Sequence, residues 1–315
     1  MRFITSSALL LSSLLALPAV ADEGRVLLQR LANAERTQSF QGTFVYERNG
    51  SFSTHSIWHH VKDDGMVRER LLQLDGAAQE VLRVDGQVHC ASAALAEQVV
   101  DSQLWPARAL DAEQLSQSYE LRVLGQSRVA GRATDVLALV PRDQHRYGIE
   151  LHLDQQTGLP LKSLLVNDKG QLLERFQFTQ LQVGAPAAAN LEASVECRAV
   201  RVLPVQAKIS NAWQSDWLPP GFSLSTTAQR ISPASDEPVA CQVYGDGVAR
   251  FSVFIEPLRG EPVEDARTQL GPTVAVSRRL ITAEGDVMVT VVGEIPLGTA
   301  ERVALSMRAS NEAAQ

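Results

Sequence analysis

Aromatic residues make up only 5% of this 315-residue chain, and its three cysteines, Cys90, Cys197 and Cys241, form no Cys-x-x-Cys pair. There is no His-Glu-x-x-His stretch, no Gly-x-Ser-x-Gly turn and no glycine loop of the phosphate-cradling kind. The metalloprotease, serine-hydrolase and P-loop patterns are therefore missing, and an enzyme is the least supported class. Positive charge is also short. Lys plus Arg total 29 against 36 Asp plus Glu, for a formal net charge of −7. General nucleic-acid binding needs a basic footprint that this balance does not supply. After the first segment, no run reaches the roughly 20 apolar residues that a spanning helix needs.

That first segment has its own pattern. Arg2 precedes an apolar stretch, Ile4 and Ala8 to Leu17, broken by serines, and Ala19-Val20-Ala21 fits a small-x-small cleavage site. Residues 1–21 are expected to be a secretory signal peptide. No cysteine follows the leader to carry a lipid anchor. An exported chain meets an oxidising compartment, where two of the three cysteines can bridge. Three pairings are open, as are three separate buried thiols. At about 150 residues per domain, the length suggests two domains.

What the chain does have is turn-punctuated alternation. Arg25 to Arg36 carries Leu27, Leu28, Leu31 and Ala34 at helical spacing, so a short amphipathic helix opens the folded chain. Phe40 to Glu47 then alternates up to Asn49-Gly50, the dipeptide most favoured in a two-residue hairpin because both residues accept positive φ. Ser51 to Lys62 returns to Asp63-Asp64-Gly65, and Met66 to Leu74 puts Met66, Arg68, Arg70, Leu72 and Leu74 on one side. Asp85-Gly86 marks the next hairpin, between Val81–Val84 and Gln87–Ala91. The period changes from Ala94 to Gln117, where helical or irregular structure is expected around Trp105-Pro106. Strands resume at Tyr119–Leu124, Arg132–Val140, Tyr147–Leu153, Leu161–Asn167 and Leu172–Val183. Strand after strand with one helix-like interruption indicates a large curved antiparallel sheet. Its open face must be covered by helices or by a partner.

Gly184 to Asn190, rich in alanine, breaks the pattern. The division expected is 22–190 for a first, lipid-cradling domain, 191–212 for a linker and 213–315 for a smaller partner-binding domain. In that second unit, Val239–Tyr244, Val248–Glu256, Thr273–Leu280 and Val287–Val292 read as strands, and Pro296–Met307 as a closing helix capped by Thr299. The class is mainly β with α.

Three groups tempt a catalytic or metal reading. His55 and His59 share a strand face about 13 Å apart, too far for one ion, and His60 points away. His89 and Cys90 are strand neighbours facing opposite sides, so they make no dyad. Asp63-Asp64 and Asp236-Glu237 sit in turns facing water. No metal and no cofactor is expected. Binding is the better reading. Phe44, Tyr46, Phe52, Trp58, Leu72 and Leu74 line a concave apolar wall if their faces meet, and the alternative is that they pack on the opening helix and the segment after Ala94. A cleft between the domains, with exposed strand edges, suits a peptide segment.

Several stretches resemble the MucB/RseB family of periplasmic regulators. They include Phe44-Val45-Tyr46-Glu47-Arg48, Arg68-Glu69-Arg70, Gly125 to Arg132, Arg146-Tyr147, Thr157 to Leu161 and Glu174-Arg175-Phe176-Gln177-Phe178. In the second half they include Leu218-Pro219-Pro220-Gly221-Phe222, Tyr244-Gly245-Asp246-Gly247, Phe251 to Glu256 and Val289 to Pro296. The resemblance implies a first domain like the lipoprotein carriers LolA and LolB, an unclosed β-barrel over helices. It implies that the smaller second domain supplies much of the contact to a membrane anti-sigma factor. The family binds the periplasmic part of that factor, protects it from regulated cleavage and is released by a lipid or lipopolysaccharide signal. In alginate-producing relatives it restrains exopolysaccharide synthesis. No catalytic residues come with the resemblance. The alternative is a periplasmic lipid or lipoprotein carrier of LolA/LolB type, and self-association as a homodimer is left open.

Overall fold

A computed structural model of the protein describes residues 17–77, 79–92, 110–200, 213–232, 235, 237–260, 263–282 and 285–310. The expected leader up to residue 16, most of the Ala94–Gln117 interruption and most of the expected linker lie outside these residues. The opening helix α1 spans Leu17–Thr37 and so runs across the expected cleavage point. Its Leu27, Leu28, Leu31 and Ala34 are all buried, as their spacing requires.

The first sheet is built from β1 (Phe40–Arg48), β2 (Ser51–Val61), β3 (Val67–Gln73), β4 (Glu80–Val84), β5 (Gln87–Ser92), β6 (Tyr119–Val129), β7 (Arg132–Pro141), β8 (Gly148–Asp154), β9 (Pro160–Val166), β10 (Leu172–Val183) and the short β11 (Cys197–Ala199). A short helix, α2 (Ala112–Ser118), leads into β6. The order is β11-β5-β4-β3-β2-β1-β10-β9-β8-β7-β6, so two meanders join where β1 pairs with β10. β11 and β6 stand at opposite edges, which leaves the sheet unclosed. Local chemistry sets the hairpins. Asn49 and Gly50 have φ of 53° and 73°, and Asp85 and Gly86 have 49° and 70°. Those values are the left-handed pair that a tight hairpin demands.

Helix α1 lies along one face of this sheet. Leu27, Leu28 and Leu31 meet Leu121, Leu137, Leu139, Leu151 and Leu153 from β6–β8. Farther along, Ala34 joins Phe40, Phe44, Ile57, Phe176 and Phe178. Each Leu or Phe fully buried this way contributes roughly 1.5–3 kcal/mol relative to exposure. Gly42 is required here, because a Cβ would come within 2.8 Å of the Phe178 ring.

The second lobe is a six-stranded sheet of β13 (Ser223–Ile231), β14 (Pro238–Gly245), β15 (Arg250–Pro257), β16 (Ala266–Leu270), β17 (Thr273–Thr282) and β18 (Gly285–Gly293), in the order β13-β14-β15-β18-β17-β16. Helix α3 (Leu297–Ser306) packs Ala300, Val303 and Ala304 on one face, against Val253, Val274, Val276, Val289 and Val291. β12 (Trp213–Ser215) and β19 (Met307–Ala309) form a two-stranded ribbon beside it. The expected Thr299 cap is corrected. Pro296 sits at the cap without a side-chain bond, and Thr299 is a buried residue inside the helix. β13 and β16 were not legible as strands, for reasons given below.

Candidate functional site

The hairpin register divides the six residues expected to line one wall. Arg48 pairs with Ser51, so Phe44 opposes His55 and Tyr46 opposes Ser53, while Phe52 opposes Glu47 and Trp58 opposes Gln41. Cross-strand partners share a face and neighbours along a strand do not. Phe44 and Tyr46 therefore lie on the helix-covered face. Trp58 pairs with Arg70 and Ser56 with Leu72, which puts Phe52, Trp58 and Leu72 on the opposite face, with Leu74 next in that series. The single apolar wall is corrected to two unlike surfaces.

Phe44 is 1% exposed, stacked on His55 at 5.1 Å and set against the Phe176 and Phe178 rings at 4.6 and 5.9 Å. The Tyr46 hydroxyl donates to Glu174 Oε2 at 2.6 Å. On the other face the Arg70 guanidinium lies 5.2 Å over the Trp58 ring. Phe52 and Leu74 are 63% and 51% exposed. Leu74 pairs its backbone with Thr54, two residues from Phe52 along β2.

Residues 188–199 strap that opposite face. Arg70 donates to Glu80 Oε1 at 2.7 Å and to the Asn190 carbonyl, and Arg68 donates to the Leu191 carbonyl. The Ser194 amide bonds to Glu80, Leu191 is buried, and β11 pairs with β5. A Cys90–Cys197 disulfide fixes the strap to β5. This resolves the open cysteine question and removes Cys90 as a thiol for His89. Cys241 is buried in β14.

Histidine chemistry is spent on packing. His59 stacks on Phe40 at 4.8 Å and bridges Glu69 and the Glu35 carbonyl, each at 3.2 Å. Burial lowers the His55 pKa. His60 turns away, its Nδ1 lying 3.3 Å from Ser39 Oγ. Among the described residues no group of three or more His, Cys, Asp or Glu is placed to hold a metal.

The boundary between the lobes is where polar side chains converge, at two patches. In the first, Arg146 is fully buried. It donates to Asp246 Oδ2 of the second lobe at 2.5 Å, to both carboxylate oxygens of Asp143 and to the Pro220 carbonyl. Its guanidinium lies 5.4 Å over Tyr119 and 5.0 Å over Phe222. Asp246 also accepts from the Tyr119 hydroxyl at 3.2 Å and from the amides of Val248 and Ala249. Burial, and then the Asp246 charge, push the Tyr119 hydroxyl pKa well above its usual value. Gly221, at φ 81°, allows the second lobe to approach Ser118 where any Cβ would collide. Beside it, His145 Nδ1 lies 3.1 Å from Thr299 Oγ1, and the Tyr147 hydroxyl donates to the Ile295 carbonyl at 3.2 Å.

In the second patch the β1–β2 turn meets the β16–β17 turn, with Gly271 against Arg48 and Asn49. Arg48 reaches Glu294 Oε1 at 2.9 Å, donates to Thr273 Oγ1 and to the Tyr46 hydroxyl, and lies 3.6 Å from Glu174. A cleft of about 230 Å³ opens here, lined by Glu47, Asn49, Gly50, Leu172, Leu173 and Gly271. The boundary is thus buried and bonded at one end and notched at the other. Such an arrangement can position a chain segment between the lobes.

The groups that join the lobes, Arg48, Arg146, Glu174, Asp246 and Glu294, were not among the residues expected to form a site. The signal was present in another form, since every one lies in a stretch that carried the family resemblance.

Comparison with known proteins follows the same division. A family model described as MucB/RseB N-terminal domain matches residues 23–205, and one described as MucB/RseB C-terminal domain matches residues 207–308. The chain is 64% identical over 306 residues to the sigma factor AlgU regulatory protein MucB of Pseudomonas aeruginosa, covering 96% of this chain and 97% of that protein. A complex structure of Pseudomonas aeruginosa MucA/MucB superposes with a TM-score of 0.81 at 65% identity, over 91% of this chain and 99% of the solved one. A crystal structure of MucB in complex with MucA(peri) gives 0.79 at 62% identity, over 92% and 99%.

Proposed function

The chain belongs to the MucB/RseB family, and from that premise we propose that it is a periplasmic regulator that holds the periplasmic segment of a membrane anti-sigma factor and shields it from proteolysis. The observation that carries this reading is the pairing of a MucB relative with MucA in solved complexes whose fold this chain shares across both lobes. The notch at the lobe boundary and the open strand edges of the second lobe supply the surface. β13 and β16, the two edges of that sheet, carry Leu224, Ile231 and Leu270 exposed, and an exposed edge offers unpaired amides and carbonyls to an extended segment. The reading is a binding regulator, with no chemistry performed on the partner.

Release is assigned to a lipid or lipopolysaccharide. Of the six apolar residues considered from the sequence, Phe52 and Leu74 are the pair open to an acyl chain. Phe44, Tyr46 and Trp58 are engaged in packing or hydrogen bonds and Leu72 is half-buried, so acyl contact there needs local rearrangement. The division between the domains is proposed to fall between β11 and β12. This carries the first domain past residue 190, because the strap and the disulfide tie residues 188–199 to the first sheet.

Calorimetric titration of the purified chain with the MucA(peri) fragment tests the reading. Binding at micromolar concentration or tighter, weakened when lipopolysaccharide is added, is expected. No heat and no complex at those concentrations would overturn it. A carrier of LolA/LolB type would instead take up lipid and ignore the fragment.

A further inference from the structure

The two patches joining the lobes differ in kind. Arg146 and Asp246 are sealed from water, and each nitrogen of the guanidinium donates a hydrogen bond. Arg48 is half-exposed and stands between two carboxylates. Around it stand Glu174 from β10 and Glu294 from the segment after β18, with the Tyr46 hydroxyl from β1 and the Thr273 hydroxyl from β17. The β9 residue opposite Glu174 is Leu165, which adds no charge. Glu47 and Arg175, paired with each other in the β1–β10 ladder, alternate to the far side of these strands. Arg48 thus stands between two carboxylates across the boundary, at the lip of the 230 Å³ cleft, and the Tyr147 hydroxyl also lies in the field of Glu294.

We propose that the Arg48–Glu174–Glu294 cluster is a proton-operated latch, which closes the cleft end of the lobe boundary in mild acid and loosens it at alkaline pH while Arg146–Asp246 holds the other end as a pivot. Protonating Glu174 removes one negative charge, keeps a carboxyl oxygen for the Tyr46 hydroxyl and leaves Glu294 as the carboxylate that Arg48 neutralises. Ionising Glu174 sets two carboxylates against each other across the gap.

The linkage has a definite sign. Burial first, and then the Glu294 charge, raise the Glu174 pKa from 4.5 to about 7. With the latch open, Glu174 meets water and loses the Glu294 field, so its pKa returns toward the ordinary value. The closed state therefore holds the proton more tightly. Its advantage is complete below the ordinary carboxylate range and is lost as pH rises through about 7. Between pH 8 and pH 5.5 the closed-to-open ratio rises roughly tenfold or more.

The test needs no partner, so it stands apart from the proposed function. Phe52→Cys and Leu270→Cys place a pyrene pair on exposed positions of the two lobes near the cleft, each 63% exposed in the native chain. Excimer emission then reports the closed fraction from pH 5 to pH 8.5. The expected result is emission that rises as pH falls, with a midpoint near 7. Glu174→Gln, which mimics the protonated carboxyl, should stay closed and lose the transition. Glu294→Gln, at a half-exposed site, should keep a transition but move its midpoint downward. Emission independent of pH in the unsubstituted pair, or a midpoint left unchanged by Glu294→Gln, would overturn the latch.

Discussion

At the scale of single residues, the Arg146–Asp246 pair makes the strongest energetic statement. A buried ion pair gains little over a well-packed apolar substitute, yet removing one partner leaves an uncompensated charge and costs about 3–5 kcal/mol. Asp246→Ala should therefore lower the free energy of unfolding by that order, and the denaturant midpoint with it. The double replacement Arg146→Met with Asp246→Leu should recover much of the loss. Chemical unfolding of the native chain and the two variants checks this, and a double variant that loses clearly more than Asp246→Ala would mean that the pair is not coupled. The sequence made part of this legible. Asn49-Gly50 and Asp85-Gly86 fix their turns by local chemistry alone. The face of each aromatic was also countable, because a two-residue turn pairs Arg48 with Ser51 and places Phe52 opposite to Phe44 in parity. Asp246 as the partner of Arg146 was not countable. The two stand 100 residues apart, and no local pattern predicts which distant carboxylate a buried guanidinium will find.

At the scale of elements, alternation was informative wherever one face is buried and silent elsewhere. β15 alternates buried and half-buried residues throughout and was read correctly. β16 is exposed at all five positions and β13 is mostly exposed, so neither carries the period-two signal of a half-buried strand. Edge strands are pinned by their neighbours' backbones rather than by their own side chains. The strap over β2–β4 was hidden for a related reason. Its Arg70–Glu80 and Ser194–Glu80 contacts are polar and long-range. The Cys90–Cys197 bridge spans 107 residues, and a disulfide typically stabilises a fold by about 2–4 kcal/mol. Cys197→Ser should lower stability by that amount and speed backbone exchange at residues 190–199 and in β5, with β6–β8 unchanged. An unchanged unfolding midpoint would mean that the side-chain contacts alone hold the strap.

At the scale of the whole molecule, an unclosed eleven-stranded sheet and a six-stranded sheet share a boundary that is sealed by Arg146 and notched by the Arg48 cleft. Among the stretches that resembled a regulator family, those holding Arg48 and Arg146-Tyr147 in the first half meet those holding Pro220, Asp246 and Glu294-Ile295 in the second at that boundary. Their local patterns said strand and turn. Their shared role became visible only when Arg146-Tyr147 faced Asp246 and Ile295, and Arg48 faced Glu294. The account therefore turns on where a bound partner sits. Hydrogen–deuterium exchange of the intact chain, with and without saturating MucA(peri), addresses this most directly. The account predicts slowed exchange in the β1–β2 turn, the β16–β17 turn and an edge strand of the second lobe. Protection confined to the far end of the first sheet, around the β6–β7 and β8–β9 turns, would contradict it.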